Sequence, residues 1–267
     1  MPEATASSPV NDSPNEEMPT MGFLDHLEEL RRRILYSIVA VAVGFFACWG
    51  YAEKIYEIMQ RPIMVALQHN GISEKLVYLN PTEPFNLYIK IGAMAGLFVA
   101  SPFVLYQIWL FISPGLYRHE KRYVIPFMFS TVGLFLGGGY FGYKLVYPQA
   151  LEFLIGYGKQ FQPMITIGEY TDLFLTIIIG MGVIFEMPIL VFFLSLMGIV
   201  TAGWMWRNLR YSILVIFIIA AILTPTTDIL NMCIFAAPMV ALYVLSIAIA
   251  WLVHPTQRKK RADKKDS

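Results

Sequence analysis

The sequence contains few charged residues and few cysteines. Charged side chains make up 15% of the 267 residues and hydrophobic ones 57%, whereas soluble domains carry about 25% charged residues. The two cysteines are too few for a disulfide framework or a thiolate metal site. The formal net charge of +1 lacks the basic surplus of a nucleic-acid-binding surface. The composition therefore favours a membrane protein with no nucleic-acid partner.

Motifs for nucleotide, metal or acyl-transfer chemistry are also missing. The chain has no GxxxxGKS or GxxxxGKT phosphate loop, no HExxH pair and no GxSxG turn. Its four histidines are scattered along the chain, and we expect each of them to have an ordinary surface role. These absences make an ATPase or a metalloprotease a poor interpretation, and we expect no catalytic residue, no cofactor and no metal.

Long apolar runs dominate the rest of the sequence. A helix that crosses about 30 Å of hydrocarbon needs roughly 20 mostly apolar residues. The predicted spans are residues 34–52, 85–112, 123–143, 173–200, 211–223 and the remainder of the last apolar region up to 253. At about 1.5 Å per residue the fifth span reaches only about 20 Å, so we expect a short fifth helix. The predicted fold is an all-α membrane protein with six transmembrane helices.

The distribution of basic residues predicts the orientation. Alternate loops and the C-terminal segment carry 14 lysines and arginines on one side of the predicted membrane against five on the other, with Lys90 set aside as intramembrane. Short loops rich in basic residues stay in the cytoplasm, so we expect both termini there.

The two ends of the chain differ from its apolar middle. Residues 1–20 contain four prolines and four acidic residues but no lysine or arginine, a composition typical of a disordered tail and not of a cleaved signal peptide. Residues 254–267 are strongly basic, as in a lipid-facing topology anchor. We thus predict a disordered cytoplasmic tail, a transmembrane domain over residues 21–253 that begins with an amphipathic segment, and a basic cytoplasmic tail.

Two acidic residues lie among basic ones on the predicted cytoplasmic side. Glu29 belongs to the amphipathic segment before the first span, and Glu120 lies in the loop between the second and third spans. The residues by themselves favour structural roles, with helical ion pairs from Glu28 to Arg32 and from Glu29 to Arg33. Each carboxylate could also accept a guanidinium fork from a partner that carries paired arginines.

A third acidic residue, Glu186, lies inside the fourth predicted span, about 20 Å along it and near the bilayer midplane. An ionised group there costs about 3 kcal/mol on insertion scales, so Glu186 should face protein or water and have a function. One alternative interpretation is a proton-coupled small-solute transporter with Glu186 as its proton site. An intramembrane enzyme is a weaker alternative, because no nucleophile and base pair is identifiable.

Six short motifs occur in order along residues 21–251: His26-Leu27-Glu28-Glu29-Leu30-Arg31, Ser101-Pro102, Tyr106-Gln107-x-Trp109, the loop 114–122, Phe185-Glu186-x-Pro188 and Leu223-Thr224-Pro225. Taken together they resemble TatC, the multispanning receptor subunit of the twin-arginine protein translocase. The chain departs from this family before Asp228, where a proline would be expected.

The resemblance implies an inner-membrane receptor for the paired-arginine signal peptides of folded proteins. Single-span TatA and TatB subunits are its implied partners, and the proton gradient is the implied energy source. Signal recognition maps onto Glu29, Glu120, Arg31 and Phe111. The resemblance also implies that Glu186 faces a concave cavity beside the short last helices and contacts a polar residue of a TatA-type helix.

Overall fold

The computed structural model describes residues 23–71, 76–112, 124–158, 161, 164–224 and 229–263. This part of the chain contains ten α-helices: α1 (Phe23–Trp49), α2 (Ala52–His69), α3 (Glu83–Ile112), α4 (Val124–Phe141), α5 (Tyr147–Tyr157), α6 (Ile167–Phe185), α7 (Met187–Leu196), α8 (Ala202–Arg207), α9 (Leu209–Leu223) and α10 (Ile229–Asp263). A π-helical turn, Gly142–Val146, joins α4 to α5. The predicted all-α class is confirmed.

Helices coincide with each predicted span, because backbone polar groups must bond to one another where no water is present. Four helical stretches are long and apolar enough to cross a membrane: His26–Trp49, Glu83–Phe111, Ile167–Leu196 and Met232–Leu252. Helix α4 has 18 residues, and α9 is a shorter apolar helix of 15 residues, as expected for the fifth span. The total of six crossings stays a prediction.

The sixth helix is long, and our expectation of a short one was wrong. Helix α10 has 35 residues, and its apolar part has 21 residues, or about 32 Å of helix. The helix also continues beyond residue 254, where we had placed the boundary of the basic tail. Glutamine, arginine and lysine are good helix formers, so the change from apolar to basic composition ends the span without ending the helix.

The fourth span is two helices, although we had predicted one over residues 173–200. Helix α6 begins earlier, at Ile167, because the Thr166 hydroxyl oxygen accepts a hydrogen bond from the Glu169 backbone N–H at 3.2 Å and caps the helix. The break falls at Glu186, between α6 and α7. Pro188 has no N–H to donate to the preceding turn, which interrupts the helical hydrogen bonding at this point.

Helix α2 was not predicted, because its charged residues interrupt any long apolar run. Pro62 lies inside this helix and cannot donate to the carbonyl of Ile58, four residues earlier. The Tyr143 hydroxyl donates to that carbonyl at 2.8 Å, and the Tyr170 hydroxyl donates to the next one, of Met59, at 2.5 Å. Two tyrosines from the π-helical turn and α6 thus fasten α2 to the transmembrane helices.

Helix α1 packs mainly against α3, and glycines bring the two backbones into contact. A Cβ atom added to Gly96 would lie 2.5 Å from the backbone nitrogen of Phe45, and one added to Gly44 would lie 2.6 Å from the carbonyl oxygen of Gly96. Only residues without side chains permit such an approach. This contact keeps α1 alongside α3, so polar side chains at one end of the pair can meet.

Candidate functional site

Glu29 is the centre of a polar cluster between α1 and α3. Its side chain is buried, with 8% of the residue exposed. One carboxylate oxygen, Oε1, accepts hydrogen bonds from Nε of Arg33, at 2.9 Å, and from Nη2 of the same residue. Nη1 of Arg33 then donates to Oε1 of Gln107 on α3 at 3.2 Å. The guanidinium therefore links the carboxylate of one helix to the amide of the other.

The second carboxylate oxygen of Glu29 is buried and accepts no hydrogen bond from the described residues. Leaving a buried acceptor without a donor costs about 1 to 3 kcal/mol, and more for a charged group. The cluster thus holds one carboxylate oxygen that a donor from outside the described chain would satisfy.

Phe111 lies at the same end of the α1–α3 pair. Its ring stacks on the imidazole of His26 with 4.3 Å between the ring centroids and 15° between the ring planes. Phe111 follows Gln107 by four residues and therefore lies on the same face of α3. His26 precedes Glu29 by three residues on α1, so the aromatic pair lies beside the polar cluster. His26, for which we had expected an ordinary surface role, is partly exposed and also contacts Phe111.

The other two predicted recognition residues stand apart from the cluster. Arg31 is exposed to solvent, and its position two residues after Glu29 places it on another side of α1. Glu120 lies outside the described residues, as does Asp228. The structure therefore brings together Glu29 and Phe111, and it adds Arg33, Gln107 and His26, of which only Arg33 was expected to contact Glu29.

The predicted ion pairs of α1 differ in outcome. Glu29 and Arg33 form the expected pair. Glu28 and Arg32 are both exposed and form no ion pair in the described structure, because their side chains point into solvent where such a pair gains little. Glu28 is therefore an exposed neighbour of the buried carboxylate and a suitable control for it.

Lys90, the basic residue inside the second predicted span, forms an ion pair with Asp172 on α6. This pair was not predicted, although each residue lies near the N-terminal end of its apolar helix. Both side chains are considerably exposed, at 40% and 61%. Such exposed pairs contribute about 0 to 1 kcal/mol, so Lys90 and Asp172 connect α3 to α6 only weakly.

Glu186 lies at the break between α6 and α7. Its backbone N–H donates to the carbonyl of Val183 at 3.1 Å, and its own carbonyl accepts from the N–H groups of Ile189 and Leu190 at 3.1 and 3.0 Å. The side chain is half-buried, and its Oε1 atom is buried with no hydrogen-bond partner among the described residues. The break thus presents a carboxyl group with unused bonding capacity within an apolar helix pair.

The long apolar helices make this chain a multispanning α-helical membrane protein. Two of its carboxyl groups, those of Glu29 and Glu186, each have a buried oxygen with no hydrogen-bond partner among the described residues. The family model described as Sec-independent protein translocase protein (TatC) matches residues 25–238. The TatC protein of Koribacter versatilis is 67% identical over 268 residues, which cover 100% of this chain and 99% of that protein. The TatC protein of Helicobacter pylori strain J99 is 36% identical and covers 89% of this chain and 92% of its own length.

Solved structures agree with the sequence comparison. A crystal structure of the twin-arginine translocase receptor TatC matches with a TM-score of 0.76 at 35% identity, and the match covers 85% of this chain and 99% of that one. The chain belongs to the TatC family of Sec-independent protein translocase proteins. It is accordingly a membrane component of a protein translocase and not an enzyme, and the interpretation as a small-solute transporter is set aside.

Proposed function

We propose that this protein is the inner-membrane receptor subunit of a twin-arginine translocase, which binds the paired-arginine signal peptides of folded proteins. The observation that carries the proposal is the carboxylate of Glu29, which is buried between α1 and α3 with its Oε2 atom unbonded to any described residue. A positively charged donor from a signal peptide would satisfy that atom and offset its burial.

Arginine suits this site better than lysine for a geometric reason. A guanidinium carries its N–H donors in one plane, so it can donate to the buried Oε2 atom of Glu29 while its flat face contacts an aromatic ring, whereas an ammonium is a compact point charge. Phe111, half-buried beside Glu29, offers such a face. In this proposal Glu120 binds the second arginine and Arg31 lies at the edge of the site, and both assignments rest on the family resemblance.

A test of this function compares two signal peptides that differ only in the paired residues. A photocrosslinkable peptide with two arginines is expected to bind the purified chain about tenfold more tightly than the same peptide with two lysines, a difference of about 1.4 kcal/mol. Crosslinking yield is measured against peptide concentration. Equal binding of the two peptides would contradict recognition through guanidinium groups.

The proposed orientation places the N terminus, the C terminus and the cluster around Glu29 in the cytoplasm, since 14 basic residues lie on that side against five opposite. For the measurement, Cys48 and Cys233 are first replaced with alanine, and single cysteines are introduced at Ser73 or Ser267. A membrane-impermeant thiol reagent is expected to label the two sites from opposite faces of inverted and right-side-out vesicles. Labelling of both from the same face would refute the topology.

Glu186 has a separate role in the proposal. Its buried Oε1 atom and the helix break around it are suited to bind a polar residue from a neighbouring transmembrane helix. We assign that helix to the single-span TatA and TatB subunits, which would join the receptor in a concave cavity beside α9 and move the folded cargo at the expense of the proton gradient. No covalent step and no cofactor are needed for this role.

A further inference from the structure

A cavity of about 730 Å³ lies between α8 and α10, away from both carboxyl groups. Its lining is mostly apolar, with Val244 and Ile247 of α10 on one side. Three of the five tryptophans in the chain border it: Trp204, Trp206 and Trp251. Arg207 is the single charged residue among the described residues that line it. The cavity thus combines an apolar interior with one cation at its rim.

The wall of the cavity is held in place by hydrogen bonds on the side that faces the protein. The Tyr243 hydroxyl of α10 donates to the carbonyl of Met205 at 3.1 Å and is bonded to the Ser212 hydroxyl at 2.8 Å. Met205 is 2% exposed and packs inward. Its neighbours in α8, Trp204 and Trp206, are turned outward and are more than half exposed. The exposed indoles therefore belong to a fixed surface.

Exposed tryptophans of a membrane protein are typical of the boundary between hydrocarbon and headgroups. At that depth the surrounding solvent is lipid, and Arg207 would meet phosphate groups. Positive charge next to an apolar crevice attracts anionic lipids at this level of a membrane.

We propose that the α8–α10 cavity is a binding site for one anionic glycerophospholipid from the surrounding bilayer. An acyl chain occupies the apolar part against Val244 and Ile247, and the lipid phosphate accepts hydrogen bonds from the guanidinium of Arg207. A lipid with net negative charge is favoured over a zwitterionic one, because the described residues of the lining include a cation and no carboxylate. The site does not depend on the proposed signal-peptide recognition, since it shares no residue with it.

Arg210 provides a matched control for Arg207. It lies three residues farther along the chain and carries the same charge, but its guanidinium lies over the ring of Tyr211, 5.1 Å from the centroid. It does not line the cavity. A general attraction of basic residues to anionic membranes would depend on both arginines equally, whereas a site in the cavity depends on Arg207.

The test titrates the purified full-length chain in detergent with phosphatidylglycerol or with phosphatidylcholine and counts bound lipids by native mass spectrometry. We expect phosphatidylglycerol to bind saturably and about tenfold more tightly than phosphatidylcholine. Arg207→Gln should abolish this tenfold preference, and Arg210→Gln should change it less than twofold. Equal affinity for the two lipids, equal effects of the two substitutions, or no saturable phosphatidylglycerol binding would overturn the proposal, and the last would favour a protein partner in the cavity.

Discussion

Replacement of Glu29 with alanine is expected to weaken the binding of a paired-arginine signal peptide by about 1 to 3 kcal/mol, or roughly 5- to 150-fold. The substitution removes the buried Oε2 atom, which has no hydrogen-bond partner among the described residues. It also removes the negative charge that favours binding of a guanidinium. The measurement is the dissociation constant of a fluorescent signal peptide for the purified chain.

Four further variants make the Glu29 result interpretable. Glu28→Ala changes an exposed carboxylate one residue away and should leave the affinity within about twofold. Glu29→Gln keeps an acceptor without the charge and should fall between wild type and alanine. Because Arg33 also donates to Gln107, we expect α1 to remain packed against α3 when Glu29 is replaced. Thermal unfolding in detergent measures whether each variant is still folded. Normal peptide binding by Glu29→Ala, by Glu120→Ala and by the double variant would show that the recognition site lies elsewhere.

The effect of replacing Glu186 on transport is expected to depend on whether the new side chain can form hydrogen bonds. Glutamine retains a carbonyl acceptor and adds a donor, so Glu186→Gln should keep transport of a folded substrate within about threefold of wild type. Alanine and leucine offer the partner helix no polar group and should reduce transport at least tenfold. Transport into inverted vesicles is measured beside crosslinking of position 183 to a single-span partner.

If Glu186 transfers protons instead, the opposite result is expected for Glu186→Gln. A relay needs a titratable group, so Glu186→Gln would then stop transport as completely as alanine does. Lost transport with retained crosslinking in the glutamine variant would therefore replace the docking role with proton transfer. Binding of the signal peptide should survive all three substitutions, because Glu186 lies at the α6–α7 junction and the cluster around Glu29 lies on α1 and α3.

The membrane class and the positions of the apolar helices could be predicted because they depend on local composition. A run of apolar residues that is long enough to cross hydrocarbon forms a helix whatever the rest of the fold, because its backbone polar groups must bond to one another. The ion pair between Glu29 and Arg33 was predictable for the same reason, since residues four apart share a helix face. The break at Glu186 was also local, and Pro188 would have revealed it if it had been treated as an interruption of the span.

The candidate site required knowledge of which helices are neighbours. Gln107 is 74 residues from Arg33, and no periodicity in either segment relates the two. Their contact exists because Gly44 and Gly96 allow α1 and α3 to touch. The stacking of His26 on Phe111 follows from the same approach. A histidine and a glutamine that look ordinary in the sequence thus become parts of the cluster through packing.

The sequence by itself determined that this protein crosses a membrane, that it belongs with twin-arginine translocase receptors, and that the acidic residues Glu29 and Glu186 lie in unusual places. Hydropathy, helical spacing and ordered short motifs are properties of neighbouring residues, so they can be read without a fold. Only the tertiary structure decided that one oxygen of Glu29 accepts hydrogen bonds from Arg33 and that the other has no partner among the described residues. Burial and the supply of donors depend on distant helices, and these are set by the packing of the whole chain.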